Sequence, residues 1–345
     1  MTPEQDQLRA GVRKLLEREP EPWTALCAQI GVAALTVPER FGGLADDQGD
    51  GAGITEVQIV AEELGRVLAD VPFLGSAVLT TTALLTTRDD NACARLLPRL
   101  ADGVVGALAW TGAQGGWDPQ RPAVQAQGAI LDGSAHYVLD ATEATVLLVA
   151  AATADGPALF EIDPAHPGVR RTAVAGMDET RHLATVTLDQ VPARPLGPVD
   201  LGRVRDVACA VLAAEQAGAA ARALELTVDY TLRREQFGRP IGSFQALKHR
   251  MADLHVLVET ARSAAYAAPA SSRLTAVAKV HCSEAFTTVA AEMIQLHGGI
   301  AVTWEHPAHR YLKRAHATGQ LFGPPHHHLA RVRDGWSLRV AASSG

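Results

Sequence analysis

Arg233-Arg234-Glu235-Gln236-Phe237-Gly238-Arg239-Pro240-Ile241-Gly242-Ser243-Phe244-Gln245 is the stretch on which the fold turns. Upstream of it, Arg203 to Arg234 holds no proline and is dense in Ala, Leu and Glu, which predicts one long helix. Downstream, Phe244, Leu247, Met251, Leu254, Val258, Ala261 and Ala265 step by three or four, the apolar stripe of a second helix. The quoted residues are therefore a junction between two helices. Guanidinium groups at such a junction can clamp phosphate oxygens bidentately, and the N–H groups opening the second helix favour anions. A basic helix end that satisfies the macrodipole before a loop reads the same way. A second junction follows. Leu274 to Leu296 predicts another helix, and Gln295-Leu296-His297-Gly298-Gly299-Ile300 puts an amide and a glycine pair at its end. Backbone there can approach a ligand closely, or simply cap the helix. His309 to Thr318 and His326 to Trp336 add two helices, and long helices with short links pack as an antiparallel bundle.

The chain before this bundle divides in two. Leu8, Val12, Leu15 and Leu16 fall at helical spacing, and Trp23 to Ile30 continues the pattern until Gly31. Ile54 to Leu68, with Glu62 and Glu63 on its polar face, Ser76 to Leu85 and Asn91 to Leu100 give further helices. Val37 to Gly53, with one proline and five glycines, is a loop. Near Gly103 the period changes. Residues 104–110, 136–140, 145–151, 158–162, 169–174 and 182–191 are short and rich in β-branched or aromatic side chains. Turn signals such as Asp132-Gly133, Asp155-Gly156 and Pro167-Gly168 separate them, which predicts a small antiparallel sandwich or barrel. The lack of a glycine-rich loop between strand and helix argues against a Rossmann domain. Pro192 to Gly202 reads as the link into the bundle. The expectation is an α+β multidomain chain: an α-helical domain over 1–103, an antiparallel β-domain over 104–196 and a helical-bundle domain over 197–345.

Composition narrows the function classes. A chain of 345 residues, 47% hydrophobic and 20% charged, is globular and long enough for several cores. A net charge of −7 argues against nucleic acid as the main partner. Cys27, Cys93, Cys209 and Cys282 lie far apart without a CxxC pair and read as reduced thiols. The N-terminus lacks the apolar stretch of a signal peptide, and no run reaches the ~18 apolar residues of a membrane span. A cytoplasmic protein is the expectation. His306, His309 and His316 have helical spacing without a cysteine or carboxylate framework, and neighbours in His326-His327-His328 diverge by about 100° on a helix. They read as surface or interface histidines, and no metal site is assigned.

Taken together, Arg233 to Leu254 (RREQFGRPIGSFQALKHRMADL) and Gln295 to Ala315 (QLHGGIAVTWEHPAHRYLKRA) closely resemble the C-terminal domain of the flavin-dependent acyl-CoA dehydrogenase family. Val37 to Gly43 (VPERFGG), the β-domain and the bundle extend the likeness over nearly the whole chain. The resemblance implies an acyl-CoA dehydrogenase-like fold with an N-terminal α-domain, a middle β-domain and a C-terminal four-helix bundle, assembled as dimers or dimers of dimers. It also implies α,β-dehydrogenation of an acyl-CoA thioester. A glutamate removes the Cα proton while hydride passes from Cβ to N5 of FAD, and an electron-transfer acceptor follows. In this architecture the β-domain of one subunit holds the flavin ring, and the C-terminal domain of its neighbour grips the ADP half. The residues similar to that ADP grip are Arg234, Gln236, Phe237, Phe244, Gln245, Gln295, Gly298 and Gly299. Arg234 would pair with the pyrophosphate, with Gln295 and the glycine backbone lying along it.

Elsewhere the family pattern breaks. In place of a motif like TEPGAGSD over the flavin, this chain has Thr111-Gly112-Ala113-Gln114-Gly115-Gly116-Trp117-Asp118. In place of a strand presenting Trp and a hydroxyl, it has Tyr137-Val138-Leu139-Asp140, so Leu139 has no hydroxyl for N5 while Tyr137 keeps an aromatic face. The two positions the family uses for its glutamate fall on Gly323, before Pro324 and Pro325, and on Ala208, before Cys209. Neither accepts a proton. Glu215 lies ~10 Å along the helix from Ala208. Glu305 reads as structural, and Asp206 is similar to an Asp that faces the CoA portion. No catalytic residue is assigned. The expectation is a subunit that lends the ADP half of a FAD site to a paralogous acyl-CoA dehydrogenase subunit. It resembles the base-lacking chain of bacterial α2β2 enzymes acting on CoA thioesters of steroid side chains. The partner would supply the ring contacts, the glutamate and most of the acyl pocket. A self-sufficient homo-oligomer with an unassigned base and a flavin-free scaffold are the alternatives, and the retained ADP-side residues argue against the scaffold.

Overall fold

The computed structural model describes residues 1–45 and 53–334. The 46–52 part of the glycine-rich loop and the Trp336 end of the last expected helix lie outside the described residues. The first helices start and stop where local chemistry says they should. α1 (Pro3–Arg18) opens on a reciprocal cap, with the Thr2 hydroxyl accepting from Gln5 N and the Gln5 side chain accepting from Thr2 N. α2 (Trp23–Ile30) ends on Gly31 at φ 77°, and α3 (Ile54–Arg66) follows the loop. The helix expected from Ser76 begins earlier, as a wholly buried π-helical segment over Phe73–Thr80 that runs into α4 (Thr81–Thr86). α5 (Asp90–Ala101) is capped by the Asp89 carboxylate. Glu62 and Glu63, expected on a polar face, are instead only 2% and 1% exposed. Arg9 and Arg13 reach them from α1, and Arg262 and Tyr266 reach Glu62 from the bundle.

The strands are β1 (Gly106–Ala109), β2 (Val124–Gln127), β3 (Ile130–Leu139), β4 (Val146–Thr153), β5 (Gly156–Ile162), β6 (Val169–Val174), β7 (Leu183–Pro192) and β8 (Arg194–Pro198). They form one sheet in the order β6-β7-β3-β2-β4-β5-β8, with β1 beside β4. The expected purely antiparallel arrangement is corrected here: β1 and β2 both pair with β4 in parallel, and the sheet is mixed. The β8 stretch was expected to be linker, because its prolines remove ladder donors. It forms an edge strand on β5, where prolines are tolerated.

The bundle consists of α6 (Leu201–Arg233), the short hairpin strands β9 (Glu235–Gln236) and β10 (Arg239–Pro240), α7 (Gln245–Ala267), α8 (Ser272–His297), α9 (Ala308–Gln320) and α10 (Pro325–Asp334). α6 is long and apolar enough to cross a membrane, although its scattered charges keep every uninterrupted apolar run short. Of its most apolar window, 89% is buried inside the protein, so it is the bundle's core. α3 crosses α6 at very close range. A Cβ on Gly65 would stand 2.0 Å from Glu215 O, and one on Gly218 would stand 2.0 Å from Glu62 O. Only glycine permits this contact.

Where the three layers meet lies Arg314, 2% exposed. Its Nε is 2.6 Å from Asp178 Oδ2 on the β6–β7 connection, and its Nη1 donates to Glu215 Oε1 on α6 at 2.7 Å. Nη2 donates to Thr180 O at 2.9 Å and to Ala69 O, just past α3, at 3.3 Å. Arg181 supplies a second cation, 2.5 Å from Glu215. Removing one member of a buried charge set strands the others. Arg314→Met is expected to lower stability by about 3–5 kcal/mol, read as a fall in the urea midpoint at neutral pH.

Candidate functional site

The two helix junctions singled out in the sequence meet at one end of the bundle. Tyr230, in the last turn of α6, stacks on His297 at the end of α8 with ring centroids 4.3 Å apart. Its hydroxyl donates to His297 O at 3.3 Å. Arg250 Nε of α7 donates to Glu292 of α8 at 2.8 Å, which holds the same end together. Arg234 is the C-cap of α6, with its N–H on Tyr230 O, and its side chain is exposed. Gln236 and Phe237 sit on the β9–β10 hairpin, where Phe237 is 91% exposed at φ 55°. Phe244 is half-buried, edge-on to Phe237 at 6.1 Å and under the Arg239 guanidinium at 4.1 Å. Gln245 opens α7 and Gln295 lies in the last turn of α8, both exposed. Gly298 caps α8 at φ 65°, and a Cβ on it or on Gly299 would meet nothing within 4 Å. The expected ADP-side residues thus lie at one end of the bundle, all exposed except the half-buried Phe244.

The segments expected at a flavin ring also converge, but on a filled space. Trp117, 6% exposed, sits edge-to-face between Trp110 at 5.4 Å and Phe322 at 5.0 Å. Its backbone N–H donates to Thr111 Oγ1 at 3.1 Å. Tyr137 lies in a bulge of β3 at φ 55°, and its hydroxyl donates to Ala113 O at 2.9 Å. Leu139 is 3% exposed and packs toward Gly75 of the π-helical segment. The signal in the sequence was the bulk of Trp117 among the small residues of the 111–118 segment.

The positions expected for a base are closed as well. Gly323 adopts φ 101°, and a Cβ there would stand 3.2 Å from His328 Nε2. That histidine is 2% exposed and donates to Phe322 O at 3.0 Å, which corrects its reading as a surface residue. Ala208 and Cys209 are fully buried. Burial would raise the Glu215 carboxyl, yet Arg181 and Arg314 hold it below the usual carboxylate range, so it stays ionised and occupied. Asp206 is bound by Arg331 of α10 at 2.5 Å, and Glu305 is exposed.

This three-part fold, and the pair of junctions at one bundle end, are those of the acyl-CoA dehydrogenases. The acyl-CoA dehydrogenase N-terminal domain matches residues 2–104, and the acyl-CoA dehydrogenase C-terminal domain matches residues 206–335. The chain belongs to the acyl-CoA dehydrogenase family, FAD-dependent oxidoreductases acting on CH–CH groups. It is 37% identical over 330 residues to the acyl-CoA dehydrogenase IpdE2 of Mycolicibacterium smegmatis, covering 95% of this chain and 91% of that protein. A structure of a variant of the Tcur3481–Tcur3483 steroid acyl-CoA dehydrogenase superposes with a TM-score of 0.84 at 30% identity, covering 96% of this chain and 97% of that one. The ChsE4–ChsE5 complex from Mycobacterium tuberculosis gives a TM-score of 0.85 at 28% identity, covering 97% of each chain. For FAD, the open glycine turn and exposed Arg234 fit the ADP half. Where the ring-side segments converge, Trp117 stands between Trp110 and Phe322.

Asp140 follows β3 at φ 57° and 8% exposure, so near Gly75 that a Cβ there would stand 2.3 Å from Asp140 Oδ2. Burial pushes its carboxyl up to about 7, opposed by Arg181 and His182 and aided by Glu143 and Asp70. Folding therefore tightens its hold on the proton. The stability this contributes is fully present below the unfolded carboxylate pKa of about 4 and is lost as pH rises through about 7. Asp140→Asn is expected to flatten the decline between those limits, measured as urea midpoints across pH.

Proposed function

We propose that this chain is one subunit of a heteromeric acyl-CoA dehydrogenase, with its three domains divided at 1–103, 104–196 and 197–345. In this reading it contributes Arg234, Gln236, Phe237, Phe244, Gln245, Gln295, Gly298 and Gly299 to the ADP half of a FAD site. A paralogous partner supplies the ring contacts and the catalytic glutamate. The observation that carries the proposal is a contrast within one chain. Its ADP-side residues are gathered on an open surface, while its own ring and base segments are packed shut. FAD, when bound, takes the hydride from Cβ of the acyl-CoA. This chain's task is to hold the cofactor: Arg234 offers a bidentate cation to the pyrophosphate, and the Gly298–Gly299 backbone lets the chain lie close along it. A steroid side-chain CoA is the proposed substrate class. The family resemblance supports it, as does the likeness to the Tcur3481–Tcur3483 steroid enzyme.

The test is stoichiometry. A complex of known mass is denatured and its flavin absorbance divided by total protein. One FAD per two chains, or two per α2β2 tetramer, is expected, and one per chain would sink the proposal. In the same complex, Arg234→Ala is expected to weaken FAD retention by about 2–5 kcal/mol, as for truncating one side of a buried charge pair. Flavin titration after stripping reads this, and unchanged affinity would remove Arg234 from the site.

A further inference from the structure

We infer that Trp117 is a built-in plug, filling from within the chain the space where a flavin ring and its thioester would meet. The inference deepens the division of labour proposed above and rests on it. It explains why a second copy of this chain does not serve as its own partner.

The plug is defined by what surrounds it. Its walls come from the residues nearest each lost function. Trp110 leads into the 111–118 segment, Tyr137 braces that segment from β3, and Phe322 immediately precedes Gly323. A planar tricyclic ring binds in a slot with parallel walls. Here the indoles of Trp110 and Trp117 stand at 84°, and Trp117 and Phe322 at 70°, so each ring edge closes the face of the next. The backbone that carries the indole is held as well, through the Trp117 main-chain N–H and the Asp118 carbonyl. Thr111 Oγ1 accepts the Trp117 N–H at 3.1 Å, and Asp118 O accepts from Trp110 Nε1 at 3.3 Å. Tyr137 ties Ala113 at 2.9 Å, so the segment is pinned on both sides of the indole.

The backbone makes the same point. Trp117 at φ 48° and Phe322 at φ 59° both adopt the left-handed region, which large residues avoid. Such conformations persist only where the surroundings over-determine them. Here the surroundings are each other. The ADP side shows no matching closure: Arg234, Gln295, Gly298 and Gly299 remain exposed. Two copies of this chain would therefore face one another with ADP grips available and ring clefts plugged. Opening the plug should supply the missing half.

Free FAD is titrated into the full chain purified by itself, and flavin fluorescence is followed. Trp117→Gly removes the indole and suits the positive φ. It is expected to bind FAD at least about tenfold more tightly than the parent chain. Trp117→Phe keeps a ring in place and is expected to match the parent. Phe322→Gly opens the same space from the opposite wall, also at a positive φ, and is expected to shift affinity in the same direction as Trp117→Gly. Folded glycine variants, shown by cooperative melting, that bind FAD no better than the parent overturn the plug. Unfolding of both overturns it too, since a plug on a complete scaffold must be removable from one side. One flavin per chain in the parent heteromer would instead overturn the division of labour, so the two failures are distinguishable.

Discussion

A single buried guanidinium holds the three layers of this protein in register. Arg314 is reached by Asp178 from the sheet, Glu215 from α6 and the carbonyls of Leu68 and Ala69 beyond α3. Arginine suits the position because its planar fork presents several donors at fixed angles and stays charged when buried. With Arg181 added, the cluster holds two cations and two carboxylates and is neutral as a whole, the condition for charge in a low-dielectric interior. Its place beside the Gly65 and Gly218 crossing is consistent with this. α3 and α6 approach too closely there for side chains to fill the seam, and polar groups at its edges take up the contact.

The same cluster settles the chemistry open to Glu215. A general base must be free to take a proton, and this carboxylate is clamped by two guanidiniums that favour its charged form. The turn after α9 is fixed as firmly. Lys279, fully buried, donates to Thr318 O at 2.8 Å and Gly319 O at 3.1 Å, the carbonyls at the negative end of α9. Burial pushes that ammonium down to about 8. From the other side His328 donates to Phe322 O. The loop where the family resemblance leads one to expect a catalytic glutamate is anchored from below and from the side, with Gly323 in it.

Much of this was legible in the chain, and the reason is distance along it. Helix periods and the two junction motifs are local patterns, so Gly31, the α6–α7 junction and the Gln295 to Gly299 turn could be read directly. β2 and β8 escaped because one holds a single fully buried residue, Val124, and the other is broken by prolines. Glu62 and Glu63 were placed on a polar face by helical period alone. Their burial depends on Arg9 and Arg262, which come from opposite ends of the sequence. The Arg314 cluster gathers residues from three regions of the chain, and no spacing rule announces it. Trp117 was visible as a departure from a motif, but which rings it would meet was not.

That last contrast bears on how a binding cleft can be closed without loss of the fold. Trp117, Tyr137, Asp140 and Phe322 all carry positive φ, and all lie in or beside the segments that would face a flavin and its substrate. Strained backbone of this kind costs of order 1–3 kcal/mol per residue and needs something to hold it. In a ligand-bound cleft the ligand can share that load. Here the edge-to-face stack of Trp110, Trp117 and Phe322 takes it over, each aromatic pair adding about 0.5–1.5 kcal/mol beyond the area it buries. Removing a cofactor from such a scaffold would leave strained loops around a void, with both the strain and the cavity opposing the native state. Filling the void with an indole from the adjoining loop satisfies both at once. In the proposed division of labour, the loops keep their place in the fold while the stack, not a ligand, holds them there.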